Sequence, residues 1–170
     1  MKINFQLKAA TLMVIALIFS TSLFAQKPLE SPRDSVSAKV AGSTISINYG
    51  SPSVKGRKVF GELEKYGKVW RAGANQATVF TTSKDIKVQG KALPAGSYGL
   101  FAIPTETTWT IIFNKVPNQW GAFKYDESKD ALRVTVKPTA SAMNERLVYK
   151  INANGFTLNW DKISVPVSIK

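Results

Sequence analysis

Residues 147–160 read LVYKINANGFTLNW, and this stretch decides the fold class. Apolar side chains occupy every second position on both sides of its centre: Leu147, Tyr149, Ile151, Phe156, Leu158 and Trp160. Alternation with a period of two is typical of a strand that buries one face. An Asn-Gly pair between two such runs is the strongest short-range signal for a hairpin. The stretch therefore predicts two antiparallel strands joined at Asn154-Gly155.

The same alternation recurs along most of the chain. Residues 36–40 and 45–49 form a second predicted hairpin about the turn Ala41-Gly42. Further strands are predicted at 77–82, 86–88, 97–103, 108–114, 132–136 and 163–169. Pro166 should place the last strand at a sheet edge, and the spacing in 56–67 favours a single helical turn. We predict an all-β fold: one antiparallel β-sandwich or jelly-roll-like domain of about nine or ten strands with one short helical turn.

The N-terminus has the features of a secretory signal peptide. Lys2 and Lys8 precede an apolar run, 9–24, which ends at Ala25-Gln26. This run of about 16 residues is shorter than the roughly 20 that span a bilayer, although an uncleaved anchor remains the alternative. We predict a signal peptide over 1–25, a single domain over 26–170, and a periplasmic or secreted protein without stable membrane insertion after cleavage.

The amino-acid composition excludes several chemistries. The chain has no histidine and no cysteine, so serine–histidine and cysteine–histidine nucleophiles, disulfides and the usual zinc or iron–sulfur sites are absent. Phosphate-binding glycine motifs are missing too. We therefore expect no cofactor and no metal. Carboxylate, lysine, tyrosine or serine–lysine catalysis stays open. The local acidic cluster is 126–130, with Asp126 and Asp130; its alternating oxygens resemble a calcium loop, and the favoured alternative is a solvated turn.

The charge of the chain bears on its partners. The formal net charge is +12, and it falls by two when Lys2 and Lys8 are removed. Several cations cluster in one segment: Lys55, Arg57, Lys58, Lys65, Lys68 and Arg71. Export argues against nucleic acid, whereas an anionic glycan, a lipid head group or an envelope partner would suit an exported basic protein. The alternative is that these side chains simply solvate a loop.

The segment VWRAGAN, residues 69–75, combines large polar and aromatic side chains with small neighbours. In a functional interpretation, Arg71 binds an anionic or sugar-like ligand, Trp70 provides a stacking surface and Asn75 orients the ligand. In a structural interpretation, Arg71 pairs with an internal carboxylate such as Asp126 or Asp130, and Trp70 fills the core. Two further candidates for ligand binding are aromatic: Tyr98, which also fits a sheet face, and Trp120, which stands in an irregular segment.

Several blocks of sequence occur in an order that resembles a known family. They are SPR (31–33), YGSPSVKGR (49–57), YGKVWRAGAN (66–75), LPAGSYGLF (93–101) and WG (120–121). In these blocks the chain resembles the "domain of unknown function 2911" family, from about residue 31 to the C-terminus. The resemblance implies a small exported bacterial protein with a β-rich domain, and it implies no mechanism.

Three hypotheses of different classes follow from the sequence. The first is an exported non-catalytic binding module for a small anionic or sugar-like molecule. The second is an envelope-associated structural or interaction protein that uses the basic surface. The third is a hydrolase or lyase that uses carboxylates or lysine; the lack of a catalytic motif inclines us toward a protein that is not an enzyme.

Overall fold

The computed structural model describes residues 30–170, so the predicted signal peptide, residues 1–25, lies outside the described part. Within residues 30–170 the backbone forms ten strands and one short 3₁₀ helix, Glu127–Lys129. The strands are β1 (Arg33–Val40), β2 (Ser43–Gly50), β3 (Thr78–Thr82), β4 (Ile86–Val88), β5 (Lys91–Leu93), β6 (Gly96–Pro104), β7 (Trp109–Asn114), β8 (Asp130–Val136), β9 (Thr139–Asn152) and β10 (Gly155–Ser168).

Six of these strands form one antiparallel sheet in the order β1-β2-β3-β6-β7-β8. Its first hairpin turns at Ala41 and Gly42, whose φ angles are 50° and 76°. Positive φ at both central residues is the type I′ geometry, which matches the right-handed twist of the flanking strands. The predicted hairpin over 36–49 is therefore confirmed.

The second layer is built on the hairpin of β9 and β10. Gly155 pairs with Asn152, so the turn itself consists of Ala153 and Asn154. Isolated bridges extend both edges of this hairpin, from Ser53 to Arg146 and from Val88 to Ile169. The second bridge attaches the small hairpin of β4 and β5 to the C-terminus. The result is a two-layered, all-antiparallel fold, as the sequence predicts.

A single main core lies between the two layers. It takes the alternating apolar residues of β2, β6 and β7 from one side and those of β9 and β10 from the other. Four aromatic rings of this core contact one another, with centroids of the contacting pairs 4.8–6.2 Å apart: Phe60, Trp70, Trp109 and Trp160. A smaller cluster of Ala77, Phe101 and Ile112 lies on the opposite face of the six-stranded sheet.

Two local predictions are wrong. The strands expected at 156–160 and 163–169 are one strand, β10, whose pairing with β9 shifts register on both sides of Asp161 (φ 54°). This irregularity interrupts the alternation, which therefore reads as two strands. Residues 56–67 contain hydrogen-bonded turns rather than a helical turn. Gly56, Gly61 and Gly67 there have φ angles of 68°, 94° and 71°, which a right-handed helix does not accommodate.

Candidate functional site

The segment 70–75 packs closely against β6 and against the end of β2. Trp70 and Ala102 of β6 exchange backbone hydrogen bonds of 2.8 Å in both directions. The backbones of Gly50 and Gly73 pack against each other without side chains: a Cβ on Gly50 would overlap the carbonyl oxygen of Ala74, and one on Gly73 would lie 2.7 Å from Thr78 Oγ1. Glycine at both positions therefore permits the close approach of this segment to the end of β2.

Buried hydrogen bonds fix the same segment further. The carbonyl of Ala72 accepts from Tyr149 Oη at 2.7 Å and from Thr78 Oγ1 at 2.9 Å. Asn75 donates from Nδ2 to the carbonyl of Ser31 at 3.2 Å. Ala72 and Asn75 both have positive φ, 50° and 63°, which is unusual for residues with a Cβ and requires support from the surroundings. The segment is thus a rigid support for the side chain of Arg71.

Trp70 lies in the core rather than at the surface. Its side chain is 3% exposed and its ring stacks on that of Trp160 at a centroid distance of 5.8 Å. Its Nε1 donates to the carbonyl of Gly73 at 3.1 Å. The indole is therefore covered on its faces by protein, and the geometry matches the core-filling interpretation of this residue.

Arg71 and Asn75 line a cleft of about 200 Å³. We call this the Arg71 cleft; its wall is formed by Glu30, Ser31, Pro52, Ser53, Lys55, Arg57, Leu63, Glu64, Arg71, Gly73, Ala74, Asn75 and Trp160. The cleft thus collects residues from the start of the described chain, from the 52–75 region and from β10. Three cationic side chains and two carboxyl groups are part of its wall.

Within residues 30–170, no carboxylate lies within 4.0 Å of the Arg71 guanidinium. The two carboxylates considered as its partners contact other groups. Asp130 accepts from Tyr125 Oη at 2.6 Å and from Asn114 Nδ2 at 2.8 Å, and Asp126 accepts from the amide of Ser128 at 2.9 Å. The guanidinium of Arg71 is therefore not neutralised by direct contact with a carboxylate of this range.

Two buried N–H groups at this cleft lack an acceptor. Among the described residues, the buried side-chain donors without a hydrogen-bond partner are Arg71 Nε and Trp160 Nε1, and both residues line the cleft. Buried polar groups are hydrogen-bonded in the great majority of cases, so each exception calls for an explanation. Both donors thus belong to residues that line one cleft.

Glu64 is the site residue that sequence reasoning missed. Burial raises the pKa of the Glu64 carboxyl to about 7, although Arg71 and Arg57 act in the opposite direction. A carboxyl group with such a pKa in a cleft is a marker of a functional site. The sequence did carry a signal: Glu62 and Glu64 are the acidic residues within the basic stretch 55–71. Glu62 is exposed and pairs with Lys58 at 3.4 Å, whereas Glu64 is partly buried.

The other cations of the cleft are held in place by the chain. Arg57 donates from Nε to the carbonyl of Val54 at 3.0 Å and from Nη2 to that of Ser53 at 2.6 Å. Lys55 pairs with Glu30 at 3.1 Å. The basic segment 55–71 is therefore not a uniform solvated surface, because some of its cations turn to the cleft and others to the solvent.

The remaining two candidates lie elsewhere. Trp120 is exposed and borders two grooves next to the cleft; its neighbour Gly121 donates its amide to the carbonyl of Asn75 at 3.0 Å. Tyr98 is buried on β6, donates to the carbonyl of Pro94 at 2.9 Å and packs on Phe113. It is not part of the cleft or of either groove. The structure thus joins Arg71 and Asn75, puts Trp70 beneath them and Trp120 beside them, and separates Tyr98.

In the described range, no group of three or more acidic side chains is arranged to hold a metal ion. The same residues include no helix with the length and apolar character needed to cross a bilayer.

Fold and cleft together define a small antiparallel β-sandwich protein with a pocket whose wall carries three cationic side chains. Residues 31–169 match the family model described as "Protein of unknown function (DUF2911)". The match spans most of the sequence, and the chain belongs to this family. No curated protein and no solved structure matches the chain.

Proposed function

We propose that this protein is an exported, non-catalytic binding module for a small anion, and that the Arg71 cleft holds the anionic group. The observation that carries the proposal is the pair of buried donors without acceptors, Arg71 Nε and Trp160 Nε1. Leaving a buried donor unsatisfied costs about 1–3 kcal/mol. A ligand oxygen that hydrogen-bonds to either donor would recover part of that free energy on binding.

The electrostatics of the cleft favour an anion. Arg71 has no carboxylate within contact distance among residues 30–170, and Arg57 adds a second guanidinium to the wall. A guanidinium offers several N–H donors in a plane, which suits carboxylate and phosphate groups. The neutral amide of Asn75 lies in the same wall and can orient a hydroxyl or a second oxygen.

The size of the cleft limits the ligand. A volume of about 200 Å³ is below the roughly 300–1,000 Å³ of pockets for drug-sized molecules. Phosphate, sulfate, small carboxylates and single sugar acids are of the appropriate size. We propose binding rather than catalysis because the chain has neither histidine nor cysteine. The exported location is part of the proposal and is supported by the sequence of residues 1–25.

The test is thermal unfolding of the protein without residues 1–25, in the presence of phosphate, sulfate, citrate or glucuronate, with glucose as the neutral comparison. A ligand that binds only the folded state raises the free energy of unfolding by about 2.7 kcal/mol at a hundred times its Kd. We expect at least one anion to raise the Tm of the wild type and of Lys68→Ala, a control that removes an exposed cation from the same segment. The Arg71→Ala variant should show no such rise.

Two results would contradict the proposal. One is the absence of a shift with every anion; the other is an equal shift for wild type and Arg71→Ala. An Arg71→Lys variant keeps the charge and loses the planar fork, so it should retain only part of the shift. If Arg71→Ala loses stability while no anion stabilises the wild type, Arg71 has a structural role alone.

A further inference from the structure

The segment between β7 and the 3₁₀ helix exposes aromatic side chains. Trp120 is 62% and Phe123 is 85% exposed, and Val116 beside them is also exposed. The other three tryptophans, Trp70, Trp109 and Trp160, are all buried. Leaving an indole in water forgoes the favourable free energy that burial of a large apolar side chain provides. Exposed apolar groups clustered in this way mark interaction sites.

This aromatic segment is held firmly on the sandwich. Gln119 accepts at its carbonyl from the amide of Ala77 at 2.9 Å, and Gly121 donates to the carbonyl of Asn75 at 3.0 Å. Between these two bonds, Trp120 forms an isolated bridge with Gln76. The backbone on both sides of Trp120 is therefore fixed, so the ring is presented at a defined place rather than on a free loop tip.

Trp120 stands between two grooves that also share Asn118 and Gln119. The first, of about 330 Å³, is completed by Arg33, Gln76, Ala77, Val79 and Pro117. The second, of about 380 Å³, is completed by Val116, Phe123 and Lys124. Gln119 donates from Nε2 to the carbonyl of Val116 at 2.9 Å, while its Oε1 is buried and accepts no hydrogen bond from the described residues. An unsatisfied acceptor thus lies next to the exposed ring.

The charges around these grooves have one sign. Arg33 and Lys124 line them, and no carboxylate of residues 30–170 does. The uncharged polar groups of the lining are amides, which both donate and accept hydrogen bonds. A complementary ligand presents an apolar face to the indole, hydroxyl groups to the amides and negative charge to the two cations.

We propose that Trp120 and its two grooves form a second binding site, whose ligand is an acidic saccharide. The C–H face of a sugar ring would cover the indole of Trp120, its hydroxyls would hydrogen-bond to the exposed amide of Asn118, and carboxylates would lie toward Arg33 and Lys124. This site goes beyond the small-anion cleft: the grooves share no lining residue with the cleft, although Arg71 Nη1 lies 3.9 Å from the position that a Cβ on Gly121 would take. Either site can exist without the other.

The test uses oligogalacturonate as the acidic probe and a neutral glucan oligomer of the same length for comparison. Trp120 is the exposed indole among the four tryptophans, so acrylamide quenching of the intrinsic fluorescence reports on it directly. We expect oligogalacturonate to protect this indole and the neutral glucan to protect it less. Trp120→Ala should weaken binding about tenfold or more by calorimetry, because the aromatic contact surface is lost.

Three variants make the test specific. Trp120→Phe keeps an aromatic face and should retain most of the affinity. Lys124→Gln should lower the affinity for oligogalacturonate and make that affinity depend less on salt concentration. Lys68→Ala should bind oligogalacturonate as the wild type does, because Lys68 is an exposed cation that lines neither groove. An unchanged far-UV circular dichroism spectrum and Tm would show that Trp120→Ala is folded.

The saccharide proposal is overturned if Trp120→Ala binds oligogalacturonate as well as the wild type. It is also overturned if the neutral glucan binds as tightly as the acidic one. Protection of the indole by phosphatidylglycerol vesicles but not by oligogalacturonate would assign the surface to a lipid membrane. If raising the protein concentration without any ligand protects the Trp120 indole from quenching, and light scattering shows a matching increase in mass, the surface binds a second copy of the chain.

Discussion

At the scale of single residues, Glu64 shows how burial and charge compete. Two guanidinium groups, Arg71 and Arg57, favour the ionised carboxylate, and yet its pKa rises from 4.5 to about 7. Burial outweighs the two cations because neither lies within 4.0 Å of the carboxylate and Coulomb attraction weakens with distance. Glu30 and Lys55, which pair with each other, are the other charged groups of the same wall.

The free energy of unfolding should therefore fall as Glu64 ionises. A raised pKa in the folded state means that neutral Glu64 stabilises the protein fully below the unfolded pKa of about 4.5, and that this contribution is lost as the pH rises through about 7. The loss is about 1–3 kcal/mol once solvent screening of a partly exposed group is allowed for. Urea unfolding at pH 5 and pH 8 should show this loss for wild type and not for Glu64→Gln.

The exposed neighbour Glu62 provides the control. A Glu62→Gln variant keeps Glu64 and should lose the same stability as the wild type between pH 5 and pH 8. If Glu64→Gln shows the same pH dependence as the other two proteins, then Glu64 does not ionise in this range, and its carboxyl does not tune the charge of the cleft.

At the scale of elements, hairpins with short turns could be predicted, whereas irregular elements could not. The β1–β2 hairpin follows from local signals, because alternation and the Ala41-Gly42 turn lie next to each other. The length of β10 does not follow from local signals, because Asp161 interrupts the alternation while the backbone pairing continues on either side. That continuity depends on β9, which lies earlier in the sequence and contributes no signal within the window around Asp161.

The contact between segment 70–75 and the end of β2 should be sensitive to a single methyl group. In Gly50→Ala the new Cβ would overlap the carbonyl oxygen of Ala74, which belongs to the backbone and cannot rotate away as a side chain could. We expect a loss of about 3 kcal/mol or more in urea unfolding, at the upper end of overpacking effects. The same variant should also weaken anion binding, because the displaced segment carries Arg71.

A matched variant separates this steric effect from backbone strain. Gly90 has a φ of 80°, and no atom lies within 4 Å of the position that an alanine Cβ would take there. Gly90→Ala should therefore cost only the strain of a left-handed alanine, about 1–2 kcal/mol, and leave anion binding unchanged. A Gly50→Ala variant as stable as Gly90→Ala would contradict the close approach of the two backbones.

At the scale of the whole molecule, the candidate site could be predicted only where it is local in sequence. Arg71 and Asn75 share one short segment, and both line the cleft. Trp160 reaches the same cleft from β10, through a sandwich whose two layers meet only after folding. Glu64 lies near Arg71 in sequence, but its raised pKa depends on partial burial. The polar turn residues around Glu64 give no sign of that burial in the sequence. Sequence pattern thus indicated a candidate segment and left its partners in the cleft undetermined.

Because the fold has two layers, the four tryptophans should contribute unequally to the free energy of unfolding. Trp109 of the six-stranded sheet packs on Phe60 at 4.8 Å, and its neighbour Trp70 stacks on Trp160 of the second layer. Trp109→Ala should thus open a void where both layers meet and lower the free energy of unfolding by about 3–5 kcal/mol. Trp120→Ala, which removes the same group from the surface, should change it by about 0.5 kcal/mol or less. Urea unfolding of both variants measures these two changes. If Trp109→Ala does not fold, Trp109→Phe serves as a smaller truncation. Equal losses of unfolding free energy at positions 109 and 120 would contradict a core shared by the two layers.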